Sequence, residues 1–389
     1  MKRQRGFSIL EMMVAMGILT ILVGAAVDTL VQAQYTTSSI AQMANAQENL
    51  RAGMHFMVRD LMQAGQGLPA PPQGISVPST AAGTSAINRP AIGGTFPNNP
   101  TSLPVIIPGF QQGALAVTLD PLTGAVLTGG NTDTITVLYA DNTLSSSDGS
   151  GTLLSSVPVT SAAAPVCTGA IAVNGLTVTL SPAPGCFTMP GIPTPIKAGD
   201  LIMFTNTNGT ALQLVTNVAG PVITFAAGDP AGLNQTGLPN GTVTSINASA
   251  VPTIITRVWM ITYYIDTTTN AAKPQLVRQV NYPGYPAGGP NYPPQPIADC
   301  IEDLNFTYDI INSNYPGTGT YTGGPGDAQT PQAPDTAFQI RAVNAMLAAR
   351  SEYTVGNGSS KSYFRNNLST QVSIRSLAFV NQFNLNPVP

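Results

Sequence analysis

The chain opens on an apolar run and then settles into a helical period. From Phe7 to Val27 the only charged side chain is Glu11. As a helix, that run would span roughly 32 Å, about the hydrocarbon thickness of a bilayer. The helical pattern continues past Asp28. Met43, Leu50, Met54, Met57, Leu61 and Ala64 recur at spacings of 7, 4, 3, 4 and 3, which is one apolar stripe of an amphipathic helix. Glu48, Arg51, His55 and Arg59 occupy the other face, and Gly65, Gly67 and Pro69 end the pattern. The pattern predicts one helix of about 60 residues, roughly 90 Å long. Its first half suits an apolar surrounding, and its second half suits packing against the protein's own sheet.

After the helix the period changes. Residues 69–113 are rich in Pro, Gly, Ser and Asn, with only Val105–Ile107 strand-like. Short β-patterned runs follow, separated by turn signals such as Asn208-Gly209 and Asn240-Gly241. They are Thr134–Tyr139, Leu176–Leu180, Leu201–Thr205, Ala211–Val218, Val222–Phe225, Ile254–Ile265, Gln275–Val280, Leu304–Ile311 and Gln371–Leu377. Gln339–Ala349 suits either a helix or a strand. Strand runs without intervening helices imply antiparallel pairing. The tracts Tyr282–Pro296 and Tyr315–Pro334 read as long loops. The fold class expected is α+β, a long N-terminal helix packed on an antiparallel β-sheet head with long Pro/Gly-rich loops.

Composition narrows the setting. Charged residues make up 8% of the 389, against about a quarter in ordinary soluble chains. In their place stand 38 Gly and 34 Pro, a mixture that suits an exported β-rich domain. The basic residues beyond the N-terminus are scattered from Arg51 to Arg375, so no basic stripe for nucleic acid is present. His55 is the lone histidine, and it reads as a polar-face helix residue rather than a catalytic base. No nucleophile elbow, zinc-protease or phosphate-loop motif occurs, so no catalytic residue, metal or cofactor is expected. Asp141–Gly149 lacks the ligand spacing of a calcium loop and reads as a polar turn. Asp299, Glu302 and Asp303 read as a solvated turn. In an oxidising compartment the three cysteines allow three single pairings. A Cys167–Cys186 disulfide with Cys300 left reduced is the pairing expected, because those two are close in sequence and flank one strand.

The N-terminus admits three readings. One is a secretory signal cut near Gly24, Ala25 and Ala26, and another is a plain membrane anchor. Glu11 argues against both, since a carboxylate in an apolar stretch costs free energy that neither would recover. The string RGFSILEMMVAMGILTILV, residues 5–23, resembles the type IV prepilin leader and first helix. The resemblance implies cleavage after Gly6 by prepilin peptidase and N-methylation of the new terminus at Phe7, and it matches Glu11 to the acidic residue five places into the mature chain. A carboxylate among apolar helices is costly unless paired, so Glu11 is expected to set assembly register by meeting the Phe7 amine of an adjacent subunit. Where many major pilins carry a helix-kinking proline, this chain has Asp28, which implies a straighter first helix.

A looser resemblance covers most of the chain. NLRAGMHFMVRDLMQAGQGLP at the helix end, RVWMITYYID and SYFRNNLSTQVSIRSLAF are similar to PilW-type minor pilins and, next, to J-type pseudopilins of type II secretion. It implies a leader at 1–6, a transmembrane and filament-core helix at 7–30, and an amphipathic half at 31–68. A variable, exposed, partner-facing loop region would follow at 69–113, then a β-rich head at 114–389. The protein would sit in the inner (cytoplasmic) membrane with its head outside the cytoplasm, then pass into an extracellular filament. Its partners would be prepilin peptidase, the membrane, and other major and minor pilins, with no nucleic acid and no small-molecule substrate. A low-copy tip or priming subunit is the role implied, with a J-type pseudopilin or a tip adhesin as alternatives.

Overall fold

A computed structural model describes residues 8–69, 74–83, 85, 87–90, 96, 101–119, 126–141, 146–147, 153–154, 157–158, 169–180, 196–220, 222–251, 253–285, 289–311, 318–321, 337–355 and 362–374. One helix, Ile9–Gln63, runs without interruption through Asp28. No proline occurs within it, so no hydrogen bond of its ladder is lost. Its 55 residues extend about 80 Å. It ends where the sequence breaks. Gly65 and Gly67 take positive φ, and the Gly65 N–H donates to the Leu138 carbonyl at 2.8 Å, which stitches the chain onto the sheet.

The main sheet has eight strands, all paired antiparallel. Its centre is the 13-residue strand Ile254–Asp266, long enough to hold two partners along each edge. On one edge lie Leu201–Asn206 and Gln275–Val280. On the other lie Val157–Pro158 and Thr134–Ala140. Gly209–Leu214, Gln295–Asp299 and Ile106–Gly109 extend the sheet outward. At Cys300, with φ +57, the chain turns a corner into a second antiparallel sheet. That sheet is ordered Thr318–Tyr321, Ile301–Ile311, Ile340–Arg350, Arg365–Ser373.

Alternation along the strands separates the main sheet's two faces. Ile261, Tyr263 and Ile265, with Ile135, Val137 and Tyr139, face the helix stripe of Leu50, Met54, Met57, Leu61 and Ala64. The second sheet closes this core with Leu304, Phe306, Val343 and Leu347. The stripe read from the sequence is thus the buried face, with Met43 half-buried at its start, while Glu48, Arg51, His55 and Arg59 stay exposed. The opposite face, with Leu138, Val258 and Met260, is also covered. Its cover includes Ile75, Val77, Ile87, Phe96 and Leu103. The described part of the helix-to-sheet segment is therefore largely core, not an exposed partner-facing surface. Gly241 marks how close this cover lies, because a Cβ there would come within 2.1 Å of the Val77 carbonyl oxygen. A four-stranded sheet from Gly169–Ile171, Thr177–Leu180, Val222–Thr224 and Asn217–Ala219 builds a third core with Phe204 and Phe225.

Two strand expectations need correction, and one open reading resolves to a strand. Ala211–Val218 is two strands, Gly209–Leu214 and Asn217–Ala219. The Val215 N–H goes to Asp200 and the Thr216 N–H to Thr224, so the chain passes between sheets there. The last described strand is Arg365–Ser373 rather than one beginning at Gln371. Its first half, RNNLST, has no apolar alternation and is specified by pairing with Ile340–Arg350. Ile340–Arg350 itself, rich in Ala and Leu, is a strand because partners hydrogen-bond it on both sides.

Candidate assembly helix and its anchorage

At the helix start Ser8 is the N-cap. Its hydroxyl accepts from the Leu10 N–H at 3.2 Å, and its own N–H donates to Glu11 Oε2 at 3.1 Å, completing a capping box. Glu11 therefore sits in the first turn, where the helix dipole favours an anion. Within one chain its carboxylate serves local capping. Gly6 and Phe7, the expected cleavage and methylation positions, lie outside the described residues.

Among the described residues, nothing in the head covers the first half of this helix. Its most apolar window has a mean hydropathy of 2.2 and none of it is buried. A core helix of a soluble domain would be mostly buried. The hydroxyls of Thr20 and Thr29 donate to the carbonyls of Met16 and Ala25 at 2.7 and 2.8 Å. Self-satisfied hydroxyls of this kind are tolerated in an apolar environment.

The second half is locked to the head by packing and one buried carboxylate. At Gly53 a Cβ would lie 2.9 Å from the tip of Leu276 and 3.3 Å from Leu347, so the missing side chain sets the close approach. Asp60 is 1% exposed, on the apolar stripe between Met57 and Leu61. Its Oδ2 accepts from Tyr263 Oη and from Arg278 Nε, both at 2.6 Å. Burial alone would lower the Arg278 pKa, but the hydrogen bond and charge of Asp60 outweigh it and the pKa is raised. Tyr263 is pushed well up, by burial first and then by the Asp60 charge. Sequence reasoning missed this cluster, although an aspartate on an apolar stripe was its visible signal.

Two further buried ionic groups replace expected surface turns. Asp141 is not a residue of a solvated turn. It lies buried against Arg257, whose Nε donates to its Oδ2 at 2.7 Å. Arg257 also reaches Asp200 Oδ2 at 3.3 Å, and these charges raise its pKa over the lowering effect of burial. Glu302 likewise turns inward, 3.2 Å from Arg350 Nε and 2.8 Å from Arg365 Nε. Asp299 pairs with Lys273, and Asp303 accepts from the Leu304 N–H and from Asn305. The three acids of this segment thus diverge. Cys300 is a buried free thiol whose pKa burial pushes up. Cys167 and Cys186, the expected disulfide, lie outside the described residues. His55 is exposed and edge-on to Phe56, 6.2 Å between ring centroids.

Residues 1–27 match the family model of the prokaryotic N-terminal methylation motif. No curated protein and no solved structure matches the chain. With the motif at its start and, among the described residues, one uncovered helix long and apolar enough to anchor it in a membrane, the chain is a type IV pilin- or pseudopilin-like protein.

Proposed function

We propose that this protein is a minor type IV pilin of the PilW type. It is cut by prepilin peptidase, held in the inner membrane with its head outside the cytoplasm, and inserted in few copies near a filament tip, where it primes assembly. The observation that carries this reading is the continuity of the helix. Its uncovered apolar half runs without a break into the half that forms the core of the head. A force on the buried half in a filament is thereby transmitted directly to the head. Bulk supports the low copy number. The main sheet is covered on both faces and carries an additional sheet at its side. A subunit this broad would crowd a tightly stacked array, and a tip position relieves the crowding on one side.

In this reading the chain is a structural subunit, takes no cofactor, and is not an enzyme. Immunogold labelling of shed filaments with antibody to the head tests it. Sparse terminal label is expected, and uniform label along the shaft overturns the minor-subunit role. Neighbouring genes for a type II secretion system, in place of pilus subunits, would move the protein to the J-type pseudopilins.

A further inference from the structure

The helix stops before the sheet does. Past Gln63, its last residue, the helix-side face of the main sheet opens into a cavity of about 540 Å³. Tyr139 and Trp259, cross-strand partners in register, form its floor, and Tyr292 forms one wall. Gln63, Gln295, Lys197, Asp141 and Arg278 supply its polar lining, with Gln295 Oε1 accepting from Arg278 Nη1 at 3.3 Å, and the rest of the lining is apolar. Trp259 is the chain's one tryptophan.

The aromatic corner is built rather than incidental. The Trp259 and Tyr292 rings meet edge to face at 6.0 Å and 74°. Tyr292 holds φ +53, a left-handed backbone that a bulky residue adopts only when its surroundings impose it. Its hydroxyl donates to buried Asp200, and the Lys197 ammonium stands 4.2 Å from its ring centroid. Arg257, fixed between Asp141 and Asp200, lies 4.8 Å from the Trp259 ring. A buried charge network therefore holds the rings in place before any ligand arrives, which lowers the ordering cost of binding.

The lining selects the ligand's chemistry. A wholly apolar molecule would strand the two amides and the ammonium. A highly charged anion would find few uncommitted cations, because Arg257 serves two carboxylates and Arg278 serves Asp60. A sugar ring presents apolar C–H faces to aromatic rings and hydroxyl edges to amides and an ammonium. We propose that this cavity binds a short saccharide. The site stands at the end of the helix opposite the apolar segment, roughly 50 Å beyond Val31 along the axis. It uses the head alone and does not depend on the filament role.

The test uses the full chain in detergent micelles. Methyl glycosides of galactose, N-acetylglucosamine and glucuronic acid, and a proline-rich peptide, are titrated while Trp259 emission is followed, with calorimetry in parallel. A saturable response to at least one saccharide is expected. Gln63→Ala, which removes a half-buried amide, and Gln295→Ala, which removes an exposed amide that also accepts from Arg278 Nη1 at 3.3 Å, are expected to weaken it roughly tenfold with unchanged circular dichroism. No response to any saccharide up to about 10 mM, a response to the peptide alone, or full affinity in both variants overturns the proposal.

Discussion

Replacing Asp60 with alanine tests whether one carboxylate fastens the assembly helix to the head. In the parent, Asp60 Oδ2 accepts two hydrogen bonds of 2.6 Å, from Tyr263 and Arg278. Arg278 is 12% exposed, so the variant leaves its guanidinium with little access to water. Breaking a buried pair from one side costs about 3–5 kcal/mol, because the Arg278 guanidinium would keep the neutral Gln295 Oε1, 3.3 Å from its Nη1, but lose its carboxylate. Arg59 contributes little to this figure, since it is 48% exposed and 3.6 Å away. Asp60→Asn keeps an acceptor and the shape, and should cost about 1.5–3 kcal/mol. Urea unfolding of the detergent-solubilised chain, followed by Trp259 fluorescence, measures both. A double variant, Asp60→Ala with Arg278→Met, separates the pair from the position. It should recover part of the loss, because the uncompensated charge is gone. A cost below about 1 kcal/mol for Asp60→Ala, or a double variant less stable than the sum of the two singles, would refute this account of the anchorage.

Mass spectrometry of the mature protein should find Phe7 at the N-terminus with one added methyl group, whereas a start at Val27 would mean an ordinary secretory signal. Glu11→Ala should leave processing and head stability unchanged and lower incorporation into filaments, because the charge lost lies in the first turn and far from the head's core; incorporation equal to the parent, measured by immunoblot of sheared filaments, would leave Glu11 with local capping only. Gly241→Ala should destabilise by several kcal/mol, since its φ is +65 and its Cβ would meet the Val77 backbone; thermal unfolding checks it, and a midpoint equal to the parent's would contradict the close packing of the back cover. Cys300 should resist thiol reagents at pH 8 in the native protein and react on unfolding, because burial raises its pKa and limits access. A thiol whose pKa is raised in the fold favours the folded state below the unfolded value, and that contribution is lost as pH rises through the folded one, so stability should fall on the alkaline side.

Local pattern alone determined the long N-terminal helix and where it stops. The apolar run with its single Glu11, the stripe from Leu50 to Ala64 and the stop at Gly65 and Gly67 are readable because helix period, caps and breakers act within a few residues of chain. Most strand positions were legible for the same reason, wherever one face is buried and the other half-open. What local pattern did not decide is what each element meets. Asp60, Asp141 and Glu302 look like surface acids in sequence, and they are interior because Arg278, Arg257, Arg350 and Arg365 arrive from strands distant along the chain. Ile340–Arg350 carries helix-forming alanines and is a strand because both its edges are paired, while Arg365–Asn367 takes its strand from that same pairing. The segment from Ile75 to Leu103 reads as a loop because it lacks a period, and its described residues Ile75, Val77, Ile87, Phe96 and Leu103 are core because the back of the main sheet, with Leu138, Val258 and Met260, needs an apolar cover. Burial of charge, sheet order and the faces of aperiodic chain depend on contacts between residues far apart in sequence, and only the tertiary structure supplies those.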